Sequence, residues 1–548
     1  MIEARHHIED FVHAYRRLGR SALTSLLILM LAAVVPSTLS ESPASASLPL
    51  RAPATPQQGG SLTVTLTGTQ WLNLDPPKDI EYLADATLLN AIYGQLFELG
   101  PDKNIVPSEA AGYKFTHNNL ELDIFLRHGL TFQDGSPFNA QAVAASIKRD
   151  LLPANGCACD VDFSAVSSIS ATGPYTVALH LSRVDASLLW AFLEEAPNWT
   201  VSPTALAKEG QSAFGQRPVG AGPFEVVSNV ANSTLSLRRF TGYWEKSRPY
   251  LDQLTFKAVG TDQSAYAALQ SGEVQMNEGI SSFPMIQQAL ANSKAHVVIP
   301  SPAGFGMVQI NQLDAPFNNI LAREAIQYAT NSKALLSSLY PGIKQFTVIE
   351  GPTGPGQRFY YAQLPGFHAY DLQKARQFVH RLGGLSVNLA TDSNTGGTVT
   401  EAEEIASEWS QAGIHVSLNL LTLQQYLSAV QHHSFQAAVI GYSSIDPALS
   451  LKLLFAKGGY LTSVSDPVLE RLIGRADATM NAAQRGKIYE EIGSRLNTQA
   501  LSVPLYASTS VEISSSKVGG IGSQAGQINT VSTNAAVNWE GVYLTNKL

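Results

Sequence analysis

The stretch AGYKFTHNNLELDIFLRHGLTFQDGSPFNAQAVAASI, Ala111 to Ile147, decides how the chain reads. Leu120 to Leu126 alternates apolar and polar residues, as a strand with one buried face does. A polar turn at Asn118-Asn119 precedes it. Arg127, a second strand-like piece at Thr131-Phe132 and an acidic turn at Asp134-Gly135 follow. From Asn139 onward the apolar spacing becomes that of a capped amphipathic helix.

Working outward, the same mixture continues. SLTVTLTG after Gly60, Tyr175 to Leu181, Thr234 to Phe240, Leu254 to Val259, Ile414 to Leu420 and Ala437 to Gly441 read as strands. Ala84 to Leu96, Ala186 to Leu193, Ala265 to Ser271, Leu372 to Leu382, Val399 to Gln411 and the segment around Leu423 to Val430 read as helices. Ile320 to Leu339 reads as one long helix. The last forty or so residues, rich in Gly, Ser, Asn and Val, read as strands and loops closing a sheet. Interleaved strands and helices define an α/β layer architecture. At 548 residues the chain exceeds what one core supports, so two or three domains are expected.

Composition narrows the function classes. With 45% hydrophobic and 15% charged residues, the chain is neither disordered nor polytopic. A formal charge of -8, without a basic run interleaved with aromatics, excludes a surface built for nucleic acid. Arg16, Arg17 and Arg20 precede the apolar block Ala22 to Val35, and Ala44-Ser45-Ala46 follows. That is an export signal cleaved after Ala46, with an uncleaved membrane anchor as the alternative. Residues 47 to 59, rich in Pro and Gln, form a linker. The two cysteines, Cys157 and Cys159, are too few for a zinc site; a local disulfide or a pair of thiols is expected, in a structural role.

Catalytic and cofactor motifs are missing. Gly351 to Gly356 is followed by Gln357, without the Lys and hydroxyl residue of a phosphate-cradling loop, and reads as a turn. His432-His433 has no nearby carboxylates and reads as a solvated loop. Gly441-Tyr-Ser-Ser-Ile lacks the second Gly of a nucleophile elbow, and Glu403-Glu404 reads as a solvated helix face. No catalytic residue, metal ligand or cofactor is expected.

The opening stretch, with Gly129, Thr131-Phe132, Asp134-Gly135 and the helix from Asn139, resembles the signature of family 5 of the bacterial extracellular solute-binding proteins. Further segments agree in order. They are Tyr93 to Glu98 with Ile105 to Pro107, Arg217 to Phe224 (RPVGAGPF), Tyr243-Trp244 with Pro249, and Ala265 to Val274 (AYAALQSGEV). Phe317 with Leu321 to Ile326, Asp371 to Gly383, and Gly441-Tyr442 with Asp446-Pro447 complete the series. The resemblance spans about Gly60 to Ala507.

The resemblance implies a class II Venus flytrap like the periplasmic binding proteins, two lobes with an additional third domain. After a signal at 1–46 and a linker at 47–59, domain I would be 60–83, 197–305 and 508–548, domain II 84–196, and domain III 306–507. Crossing strands, one of them in Ser301 to Asn311, would form the hinge. The chain would be a periplasmic, monomeric, non-enzymatic binding component. It would capture peptides or related organic solutes by lobe closure and deliver them to the permease and ATPase subunits of an ABC importer. A binding module for a chemosensory receptor is a second reading, and an exported hydrolase a third.

By the same resemblance, Gln70, Trp71, Phe305, Thr400, Tyr442, Ser443, Ser444 and Asp446 are the candidate ligand residues. The rings of Trp71, Phe305 and Tyr442 could stack on a ligand or pack the lobes. Two charged anchors of the peptide-binding relatives are replaced. Ser443, Ser444 and Ile445 stand where an Asp would take a peptide's amine, and Thr400 where an Arg would clamp its carboxylate. Arg127 and Asp134 are expected to be structural.

Overall fold

Every element is placed by a strand pattern that finds its partner. The computed structural model describes residues 56–545 apart from 68–70, 72, 79–84, 101, 303, 394–395, 460 and 523–536. The proposed export signal lies outside the described residues. No helix among those described is long and apolar enough to cross a membrane. Of the expected linker, Gln58 and Gly59 are already tied down, to the carbonyls of Ser247 at 2.6 Å and Tyr250 at 2.7 Å.

The opening stretch folds as its pattern requires. Ala110–Thr116 pairs antiparallel with Glu121–Leu126, and His117, Asn118 and Asn119 turn the chain at positive φ of 49°, 58° and 65°. Asparagine tolerates that region better than most residues. Leu122, Ile124 and Leu126 are buried while the intervening residues face outward. Asn139 caps the helix Ala140–Asp150 by accepting from the Ala142 amide at 3.0 Å. Arg127 donates from Nε to the Ser108 carbonyl at 2.5 Å and lies 4.3 Å from the Trp244 ring centroid. Asp134 accepts from Ser136 and from Ser202 Oγ at 2.7 Å. Burial alone would raise its pKa, but these donors outweigh it and hold the carboxyl below its usual range.

Three sheets organise the chain. The first has seven strands in the order Ala295–Val298, Val511–Ser515, Met276–Ile280, Ser61–Thr67, Gln253–Val259, Thr234–Arg239 and Phe224–Val230. The second has four, in the order Ala110–Thr116, Glu121–Leu126, Thr176–Leu181 and Val166–Gly173. The third has six, in the order Thr347–Val348, Ser502–Ala507, Gly304–Ile310, Ala437–Ser443, Leu385–Asp392 and Ile414–Leu421. The chain passes between the seven- and six-stranded sheets twice, at 299–303 and 508–510. Each layer buries its own apolar faces, and Ile445 and Leu449 from beyond the six-stranded sheet enter the core under the four-stranded one.

One expectation changes and another is narrowed. The single helix over Ile320 to Leu339 is two helices, Ile320–Ala329 and Ser332–Leu339. Thr330 is extended and accepts from Trp409 Nε1 at 2.8 Å, and Asn331 caps the second helix through the Ala334 amide at 3.1 Å. A cap and a tertiary hydrogen bond thus override the helical periodicity. Of the two options for the cysteines, the bridge is realised: Cys157 and Cys159, both buried, form a disulfide. Their sulfurs are therefore unavailable to join the neighbouring Glu195 carboxylate as thiolate ligands of a metal ion.

The Gly351 to Gly356 turn packs against both crossings. The Gly356 amide donates to the Pro302 carbonyl at 2.8 Å, and a Cβ built on Gly354 would stand 2.5 Å from the Ala507 Cβ. A Cβ on Gly356 would meet the Pro302 carbonyl oxygen at 2.2 Å, a backbone atom that cannot swing away. Gly356→Ala is therefore expected to cost about 1–3 kcal/mol in urea unfolding; an unchanged midpoint would contradict this contact.

Candidate ligand-binding site

Ligands of open α/β sheets sit beyond the carboxyl ends of the strands, because helix N-termini and loops converge there. In the six-stranded sheet Leu385–Asp392 runs parallel to both Ile414–Leu421 and Ala437–Ser443, so Asp392, Leu421 and Tyr442 end on one edge. The antiparallel strand Gly304–Ile310 begins on that edge, straight after the first crossing. In the seven-stranded sheet Ser61–Thr67 runs parallel to Gln253–Val259 and Met276–Ile280. Val511 opposes Ile280 immediately after the second crossing. Both sheets thus turn the carboxyl ends of their parallel strands toward the crossings.

This edge gathers part of the expected residue set. Phe305 and Tyr442 are partners in register, as are Gly304 and Ser443, and the two rings lie 6.5 Å apart. Phe305 is buried and Tyr442 half-buried. Thr400 is exposed near the start of the helix Gly396–Gln411, which follows Leu385–Asp392 after a short loop. Gln70 lies outside the described residues, as does the Ser443 side chain.

Three expected residues are not available to a ligand in this structure. Trp71 is fully buried in the core of the seven-stranded sheet, with Nε1 donating to Asn229 Oδ1 at 3.1 Å. Ser444 is fully buried; its hydroxyl donates to the Asp446 carbonyl at 3.1 Å and its carbonyl accepts from Gln357 Nε2 at 2.7 Å. Asp446 is fully buried and caps the helix Pro447–Phe455 through the Ala448 amide at 3.1 Å. Its carboxylate also takes two bonds from Arg485, at 2.7 and 2.9 Å, and one from Arg358 at 2.9 Å. These partners occupy the lone pairs a ligand amine would need.

Other groups near the crossings escape a reading of the sequence. Glu401 follows Thr400 in an acidic helix turn that looks solvated, yet it is 6% exposed beside Tyr506. Burial raises its pKa to about 7 against the hydrogen bond from Tyr506. Glu278 is likewise buried and pushed up to about 8, although Thr87 Oγ1 donates to it at 3.0 Å. Glu512, just past the second crossing, is raised well above the carboxylate range by burial and by the charge of Glu278. Nothing local marks these three glutamates as buried; strands and helices distant in sequence enclose them.

Two sheets joined at a double crossing, with the carboxyl ends of their parallel strands toward it, form the fold shared with periplasmic binding proteins. Residues 104–461 match the family model of bacterial extracellular solute-binding proteins, family 5 (middle region), and the chain belongs to that family, the binding components of ABC importers. It is a binding protein and not an enzyme. It is 29% identical over 379 residues to the glutathione-binding protein GsiB of Shigella flexneri, covering 67% of this chain and 71% of that one. Its fold matches that of a periplasmic binding protein, DppA of Helicobacter pylori, solved with the peptide STSA. There the TM-score is 0.79 and the identity 22%, over 89% of this chain and 99% of that one. AgaA of A. tumefaciens R10, solved with agropinic acid, matches at a TM-score of 0.78 and 21% identity over the same shares.

Removing the Asp446 carboxylate would strand the buried Arg485 guanidinium. Asp446→Ala is expected to lose about 3–5 kcal/mol in urea unfolding, and a loss under about 1 kcal/mol would refute a structural role. Glu401 sets a pH dependence. Its folded pKa, about 7, exceeds the unfolded 4.5, so the folded state holds a proton that the unfolded chain releases. Stability therefore falls as pH rises through that window. Between pH 5 and 8, Glu401→Gln should lose less stability than the parent by up to about 3 kcal/mol. Equal slopes in the two proteins would rule this out.

Proposed function

We propose that the protein is an exported, monomeric receptor that captures a peptide or a related organic solute between its lobes and hands it to an ABC permease. In this reading 60–83, 197–305 and 508–548 form one domain, 84–196 a second and 306–507 a third. The crossings at 299–303 and 508–510 act as the hinge. The ligand lies against Tyr442, Ser443 and Thr400, with Gln70 a further contact by resemblance to the family and Phe305 supporting the Tyr442 ring.

The observation that carries this reading is the shared edge. Tyr442 and the start of Gly304–Ile310 stand at the carboxyl ends of the parallel strands where the two sheets are joined, so a ligand there contacts both sides at once. The same edge argues against a zwitterionic dipeptide. Asp446 is held by two arginines, Ser443 and Ser444 stand in place of an amine anchor, and Thr400 offers no cation to a carboxylate. A longer peptide held through its main chain, or a polyhydroxylated solute of the agropinic acid kind seen in AgaA, suits such a cleft better. Each missing hydrogen bond to a charged group forfeits about 1.5–3 kcal/mol.

A thermal-shift screen with di-, tetra- and nonapeptides, opines, sugars and nickel salts tests this. A ligand present at 100 times its Kd adds about 2.7 kcal/mol of stability. Tetra- or longer peptides, or opines, should raise the melting temperature more than any dipeptide does; a dipeptide giving the largest shift would overturn the ligand class.

A further inference from the structure

A cavity of about 360 Å³ lies away from the crossings, between the four-stranded sheet's surroundings and the helices after the six-stranded sheet. Its walls on one side are Tyr113, Leu189 and Trp190; on the other stand Arg358, Met480 and Arg485. Arg358 presents a cation to the cavity, which Asn104 and Arg485 also line. Its guanidinium carbon lies 4.0 Å from the Trp190 ring centroid and 4.7 Å from that of Phe359, and its side chain is 23% exposed. Nη1 donates to Asp446, leaving Nε and Nη2 without a partner among the described residues. Behind it Arg485 gives both terminal nitrogens to the same Asp446, and its buried Nε is also unpartnered.

Two guanidinium groups therefore share one carboxylate, with Asp477 the next acidic group felt by Arg485. Burying a cation without full compensation is costly, and a guanidinium's free edge matches the two oxygens of a carboxylate. Tyr113, Phe115, Leu189, Trp190 and Met480 supply the apolar part of the wall and Asn104 a further polar group, and the volume is that of a small organic molecule. We infer that this cavity is a second binding site, for a small monocarboxylate with a flat apolar body, its carboxylate on Arg358 and its body between Trp190, Tyr113 and Met480. An occupant would touch elements from both sides of the interface and so favour the arrangement in which they face each other. The site shares no lining residue with the ligand cleft.

Titration calorimetry with 3-phenylpropionate as the probe tests it on the full mature chain. Saturable one-site binding is expected for the parent, weakened about tenfold or more for 3-phenylpropionamide and for Arg358→Gln. Ala482→Trp, which fills the cavity from the first residue of Ala482–Thr498 and keeps the Arg358 side chain itself, should abolish it and decides the matter if Arg358→Gln does not fold. Tyr442→Ala should leave the probe's affinity unchanged. Absence of binding to the parent, equal binding by Ala482→Trp or by the amide, or loss of binding in Tyr442→Ala would each overturn the site.

Discussion

The buried carboxylate of Asp446 is the constraint on which much of this structure depends. It caps Pro447–Phe455, receives the Arg485 fork and holds Arg358. It thereby fixes the path of the chain leaving Ala437–Ser443. On one side of that path stands Tyr442, at the strand edge by the crossings. On the other, Ile445 and Leu449 enter the core beneath the four-stranded sheet, and the Ile445 amide donates to Glu194 at 2.8 Å. One carboxylate thus sets the end of Ala437–Ser443, the helix start and the packing between two layers.

The charge state of the molecule's interior follows from the same balance between burial and partners. Lys452 sits among Asp162, Asp185 and Asp477 and hydrogen-bonds Ser187 at 2.7 Å. Burial disfavours its cationic form, and the three carboxylates restore it. Glu278 and Glu512 near the second crossing have no such cation among the described residues, so burial raises the pKa of both, that of Glu278 to about 8. The region around the crossings consequently offers fewer fixed negative charges than its glutamates suggest. That agrees with a ligand recognised through hydrogen bonds and ring contacts more than through a strong ion pair.

Much of the architecture was legible in the sequence because strand alternation and helix caps are local. The hairpin around Asn118-Asn119, the Asn139 cap and the Asp134 turn follow from residues within a few positions of one another. The long helix over Ile320 to Leu339 was misread for the converse reason: its break needs Trp409, about eighty residues away, to hydrogen-bond Thr330. The candidate site was legible only in part. Phe305, Tyr442 and Thr400 fall at the strand ends and helix start near the crossings, whereas Trp71, Ser444 and Asp446 are buried.

By itself the sequence determined the class of protein. Ordered short motifs from Gly60 to Ala507 and an apolar pattern of mixed period admit few folds, because each face must find a buried partner. Only the tertiary structure decided which polar residues face a cleft and which are consumed inside. Asp446 and Glu401 look like ordinary surface acids along the chain, yet one is a buried anchor bonded to two arginines and the other has its pKa raised to about 7 by burial beside Tyr506. Burial and charge pairing are set by neighbours brought together from distant segments, and no local pattern of residues encodes them.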